Sequence, residues 1–198
     1  MHISLAGRLG SGKSTLAKIF CPKYGFEHYY TGAIMRALAE ERGMTALEFN
    51  QMCENDRSAD YMIDNKTAEV SRERRDDKIL FDSRMAWHFA ENSFKVYLYV
   101  PIEVSVKRIL NDQSRGNVEE YKDAADAEAK ILARMQSESL RYKEFYGVDN
   151  HDLNNYDLVL CTSAISPEEA ADVIWREFNI YLADPSAYPK PNKLFMEN

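Results

Sequence analysis

The residues best suited to chemistry lie near the N-terminus, in "AGRLGSGKSTL" at positions 6 to 16. Gly7, Gly12, Lys13 and Ser14 match the spacing G-x-x-x-x-G-K-[ST], a glycine-rich turn whose backbone amides converge on a phosphate. The positive end of the following helix strengthens that field, the Lys13 ammonium reaches the outer phosphate oxygens, and the Ser14 hydroxyl can hold magnesium. Arg8, inside the turn, reads as a surface residue.

Other charged residues stand where such a loop could use them. "ILFDSR" puts Asp82 at the carboxyl end of an apolar strand, where open α/β sheets bind ligands. A carboxylate there would hold magnesium's water shell, with Arg84 beside it as an anion clamp or else as a surface ion pair. "YYTGAIMR" puts Thr31 and Arg36 just after another strand, and the Arg36 guanidinium has the planar fork that grips a phosphate or simply lies on a helix surface. No carboxylate follows that strand. A neutral hydroxyl acceptor would need one to take or orient its proton, so an acceptor that is already an anionic phosphate suits the stretch better. Arg134 and Arg141 are seven residues apart, two helical turns, and so share one face. They could neutralise a transferring phosphoryl group, or pair with Glu138 and Glu144 on a solvated face. Arg108 and Arg115 flank a polar stretch around Gly116 that reads as a lid. His2, His28, His88 and His151 fit no catalytic constellation.

These residues need a scaffold, and the apolar runs describe one. "HISLAG" alternates and breaks at Gly7 as a first strand, a second short strand lies around Phe26 to Tyr30, and "KILFD", "KVYLYVP" and "YDLVLCTS" are apolar runs of strand length. Between them lie helical patterns: Lys13 to Phe20, a helix capped by Thr31 and closed by Gly43, a capping box at "TALE", Ser58 to Arg75, Ile102 to Asn111, Lys122 to Tyr146, and Ser166 to Phe178. Nearly all-apolar strands alternating with helices predict a three-layer α/β fold around a parallel sheet. "ADPSAYPKPNKLFMEN" has three prolines and little periodicity, and reads as an extended or loosely held tail or as a surface for a partner. The 198 residues suit one domain, and the net charge of −7 argues against a nucleic acid polymer as partner. No basic-then-apolar leader and no long apolar run is present, so no membrane association and a cytoplasmic location are expected. Cys21, Cys53 and Cys161 are too widely spaced for a metal site and read as packed thiols.

With those residues in place, the chain resembles the nucleoside monophosphate kinases, most closely the short cytidylate kinases and their relatives. The likeness runs through "ISLAGRLGSGKSTLAK", "TGAIMR", "ILFDSRMAWHF", "RYKEFYGVD" and "YDLVLCTS". It implies a single P-loop kinase domain over residues 1–180, with acceptor-binding helices at about 31–75, a lid at about 111–122, and a tail at 181–198. It implies a five-stranded parallel sheet of order 2-3-1-4-5. The implied reaction is phosphoryl transfer from ATP, with Mg2+, to a pyrimidine nucleoside monophosphate, CMP or dCMP. The loop residues Gly7, Gly10, Ser11, Gly12, Lys13, Ser14 and Thr15, with Arg108, would bind ATP. Ser14 and Asp82 would hold the metal. Thr31, Arg36, Lys66 and Arg84 would bind the acceptor. Lys13, Arg134 and Arg141 would stabilise the transferring charge, the two arginines together with Arg108 closing the lid. Larger cytidylate kinases read their base with an aspartate after "DGR"; in "DSRM" that position is Met85. The resemblance also implies small nucleotide partners and a monomer or weak homodimer. The nearest alternatives are a kinase for shikimate or dephospho-coenzyme A, and a non-catalytic nucleotide-binding regulator.

Overall fold

The computed structural model describes residues 1–53, 56, 58–112 and 121–195. The expected lid at about 111–122, except for its first two and last two residues, lies outside the described residues. The elements run β1 (His2–Gly7), α1 (Lys13–Tyr24), β2 (Glu27–Tyr30), α2 (Thr31–Glu41), α3 (Ala46–Cys53), α4 (Ser58–Glu73) and β3 (Ile79–Asp82). They continue with α5 (Ala86–Phe89), β4 (Ser93–Tyr99), α6 (Ile102–Leu110), α7 (Ala124–Tyr146), β5 (Leu158–Cys161), α8 (Pro167–Ala183) and β6 (Asn192–Leu194).

The strands form one parallel sheet of order β2-β3-β1-β4-β5-β6. Side chains of β1, β3, β4 and β5 alternate between two largely buried faces, which is why these strands are mostly apolar, whereas β2 at the sheet edge is partly exposed. Ile3, Leu5, Leu80, Val96, Leu98, Leu158 and Leu160 pack in one cluster with Leu16, Phe20, Ile174 and Phe178 of α1 and α8. Ala6, Tyr97 and Val159 face the opposite side with Met85, Trp87, Tyr142 and Tyr156. Parallel register brings the strand ends to one edge: Leu5 lies opposite both Asp82 and Val96, and Tyr30 opposite Asp82. The loop after β1, the start of α2 and the turn after β3 therefore open onto the same edge.

The expected order of five strands is present, and the tail adds a sixth. The tail is extended but not loose. Tyr188 is 7% exposed, packs on Phe94 and Tyr181, and donates to the buried Glu177 carboxylate at 3.0 Å. Asn192 donates to the same carboxylate at 2.9 Å, and β6 pairs with β5. An edge strand of β5 left open would expose unpaired backbone groups, and three residues of tail cover them. Helix α8 also runs five residues past the expected Phe178. The capping boxes at Thr45/Glu48 and Ser166/Glu169 both form. Thr31 does not cap α2 as expected: Tyr30 holds that position, and the Thr31 hydroxyl donates instead to the Asp82 carbonyl at 3.3 Å. No described helix is long and apolar enough to cross a membrane.

Candidate active site

The phosphate loop is a turn that only glycine permits at its base. Gly7 has φ +147°, and a Cβ there would sit 2.3 Å from the Leu98 carbonyl oxygen of the neighbouring strand. Gly12, at φ 89°, makes the left-handed step into α1. The Lys13 ammonium bends back over the loop and donates to the Gly7 and Arg8 carbonyls at 2.8 and 3.1 Å.

Three side chains brace this loop from behind: Ser105 and Thr162, which the sequence did not mark, and Arg108, which was expected to bind ATP. The Ser105 hydroxyl donates to the Leu9 carbonyl at 2.6 Å, and the Thr162 hydroxyl to the Ser11 carbonyl at 2.9 Å. Arg108 donates to the Thr162 carbonyl at 2.6 Å and to the Gly10 carbonyl at 3.4 Å. Arg108 thus ties the end of β5 to the loop. Arg8 is not a surface residue: it donates to the Val100 carbonyl at 3.2 Å and lies 4.4 Å from the centre of the Tyr99 ring.

A cavity of about 900 Å³ opens in front of the loop and runs to α2, α3 and α4. Gly10, Ser11, Gly12, Lys13, Ser14 and Thr15 line one part of it, with Arg108. Thr31, Arg36, Asp82, Arg84 and Arg134 line it as well, so most of the predicted site residues meet there. Gly7 stands behind, at the foot of the loop. Asp82 is 2% exposed, and the His28 imidazole, also on the cavity wall, lies 3.4 Å from its carboxylate. His28 went unassigned in the sequence because its partner lies 54 residues away; the adjacency of β2 and β3 creates the pair.

The arginines are held in place by acids. Glu138 of α7, 2% exposed, meets Arg84 Nε at 2.6 Å and Arg134 Nε at 3.1 Å. Burial alone would push its carboxyl up, but the guanidiniums of Arg84, Arg134 and Arg141 outweigh that and hold it below the usual glutamate value. One carboxylate therefore fixes two cavity-lining cations from different elements. Arg36 donates to the Tyr30 hydroxyl at 2.6 Å.

Two expected site residues lie elsewhere. Arg141 is 1% exposed and outside the cavity lining, its Nε 2.7 Å from Asp60 on α4. Two turns along α7 amount to roughly 10 Å, so a shared face does not place both arginines over the loop. Lys66 is exposed, pairs with Glu69 at 2.9 Å, and is also absent from the lining. Met85 is buried against Trp87, Tyr97 and Tyr142, so it presents no group to a ligand. Asp64 was missed altogether. It lines the cavity at the α4 wall, 5% exposed, and accepts a hydrogen bond from the Tyr146 hydroxyl at 2.8 Å.

Among the described residues no group of three or more His, Cys, Asp or Glu comes together that could cage a metal. The hydroxyl of Ser14 and the carboxylate of Asp82 are hard oxygen donors on one cavity wall. Such a set suits Mg2+, which keeps several waters and takes one or two protein oxygens beside the substrate's phosphates.

A model of the cytidylate kinase-like family matches residues 2–164. The chain is 37% identical over 186 residues to a cytidylate kinase of Natronomonas pharaonis, covering 93% of this chain and 92% of that one. It is 35% identical over 193 residues to a cytidylate kinase of Halobacterium salinarum, covering 96% of each. The fold is similar to that of a shikimate kinase from Bacteroides thetaiotaomicron, with a TM-score of 0.61 over 90% of this chain and 98% of that one; at 15% identity the likeness is one of fold alone.

Proposed function

Because the chain belongs to the cytidylate kinase-like family and is a nucleoside monophosphate kinase, we propose that it transfers the terminal phosphoryl group of ATP, with Mg2+, to CMP or dCMP. The observation that carries this reading is the single cavity lined by the phosphate loop at one part and by Arg36, Arg84 and Thr31 at another. Two phosphorylated molecules held in that space would meet end to end.

The loop amides and the N-terminus of α1 grip the donor's phosphates, and the Lys13 ammonium leaves its two carbonyls to follow the phosphoryl group as it moves. Ser14 and Asp82 would hold Mg2+, which would offset the negative charge of the donor's phosphates. Arg36 and Arg84 orient the acceptor phosphate, whose oxygen attacks without needing a base. Arg134 adds positive charge on the α7 side, where the transition state spreads negative charge over the equatorial oxygens. In this reading Arg108 acts through the loop, as a positioning residue, and the acceptor side is residues 31–75.

The test is ADP release coupled to a reporter enzyme, with ATP and Mg2+ and a panel of CMP, dCMP, UMP, AMP, shikimate and dephospho-coenzyme A. Selective turnover of CMP or dCMP is expected. Measurable ATP binding with no release for any member of the panel would refute the reading.

A further inference from the structure

Resting on that reading, the cavity raises the question of what reads the base, since Met85 is buried in the core beneath it. Arg36 and Arg84 fix where the acceptor's phosphate sits. The same cavity is also walled by Met35, Phe49, Ile63 and the Tyr142 ring, largely apolar surfaces of the kind a heterocycle packs against. In that wall Asp64 stands out, a buried carboxylate whose partner is a phenol. The neighbouring acid, Asp60, is paired with Arg141. Among the described residues no cation lies within ion-pair distance of Asp64.

We propose that Asp64 is the base-selecting residue of this kinase: its carboxylate accepts the exocyclic amino group of cytosine and excludes uracil, which presents a carbonyl oxygen at the same place. An ionised carboxylate has acceptors only. It pairs with the cytosine N4 amino group and faces the O4 of uracil lone pair to lone pair. A site that leaves a buried polar group unmatched rejects the wrong substrate far more strongly than an apolar pocket does. The Tyr146 hydroxyl fixes one carboxylate oxygen, which orients the other.

The ionisation state supplies a second test. Burial pushes the Asp64 carboxyl up to about 7, against the hydrogen bond from Tyr146. Asp60 on its own helix and Arg141 and Tyr146 on α7 act on it, while Tyr142 of α7 and His88 of α5, whose ring lies 6.2 Å from that of Tyr146, stand beside Tyr146. His88 is itself held below the usual histidine value by burial and by Lys95. A protonated Asp64 could donate to O4; an ionised one cannot.

The experiment compares kcat/KM for CMP and UMP in the full-length chain and in Asp64→Asn, whose carboxamide can donate to O4. At about pH 8 the CMP-to-UMP ratio is expected to fall at least tenfold in Asp64→Asn, and to fall less in Tyr146→Phe, which keeps the carboxylate but loses the hydrogen bond that orients it and favours its ionised form. A stable Asp64→Asn with the wild-type ratio overturns the proposal, as does Tyr146→Phe matching Asp64→Asn, since the role would then be structural. Should Asp64→Asn fail to fold, the wild-type ratio is followed from about pH 6 to about pH 8. Ionisation of the nucleotide phosphate is common to both substrates and cancels, so the ratio is expected to rise across that window, and a flat ratio overturns the assignment. Turnover of CMP with an unchanged ratio would refute the role of Asp64 alone, whereas no turnover of either nucleotide would refute the kinase reading beneath it.

Discussion

Replacing Glu138 with alanine removes a carboxylate that is 2% exposed and meets Arg84 at 2.6 Å and Arg134 at 3.1 Å. Deleting one member of a buried ionic cluster typically destabilises by about 3–5 kcal/mol, because the remaining charges lose their partner. Here the two arginine side chains are 22% and 14% exposed on the cavity side, so water can reach part of each once the carboxylate is gone. That places the expected loss near the lower limit, at about 3 kcal/mol, or a melting point lower by roughly 6–12 °C for a chain of this size. The pH dependence has a definite sign. The folded-state pKa of Glu138 lies below its ordinary value of 4.5, so its stabilisation is fully present above that value and fades as pH falls below it. Thermal unfolding followed by circular dichroism at neutral pH and at about pH 4 measures both effects, with the gap between mutant and wild type narrowing at the lower pH. A mutant melting within about 2 °C of wild type at neutral pH would refute the view that Glu138 holds the arginines, and so would a gap that does not change with pH.

Lys13→Ala should leave the melting point unchanged and lower kcat by about 10²–10³, the loss typical of one transition-state charge contact; normal turnover would remove Lys13 from the phosphate site. Arg36→Ala should raise the KM for the nucleoside monophosphate with little change in that for ATP, and steady-state kinetics showing the reverse would move Arg36 away from the acceptor. Tyr188→Ala removes a buried ring and its hydrogen bond to Glu177, so a loss of about 3–5 kcal/mol is expected in urea unfolding, while an unaltered midpoint would mean that the tail does not stabilise the sheet.

What could be read in the chain beforehand was mostly local. The phosphate loop is written in eight consecutive residues, and β3, β4 and β5 announce themselves as apolar runs. Contacts between distant residues were another matter. The spacing of Arg134 and Arg141 correctly indicated a common helix face, yet only the packing of α7 sends one toward the loop and the other to Asp60 on α4. Glu138 was visible as a helical partner for Arg134, four residues away, but its bond to Arg84 spans 54 residues and depends on how α7 crosses the turn after β3. The strand Asn192–Leu194 carries one apolar residue, too little pattern to separate a sheet edge from a loose tail. Asp64 sits in a helix whose sequence is polar, where a carboxylate looks like any solvated side chain until Tyr146 and the cavity wall enclose it.

The most direct test of the central claim follows the phosphoryl group itself. With ATP labelled at its terminal phosphate, Mg2+ and CMP, the products are separated and the label located. The expected result is label in CDP, in step with ADP formation and slowed about 10²–10³-fold in Lys13→Ala. Label that appears only as inorganic phosphate, or that remains in ATP, would contradict it.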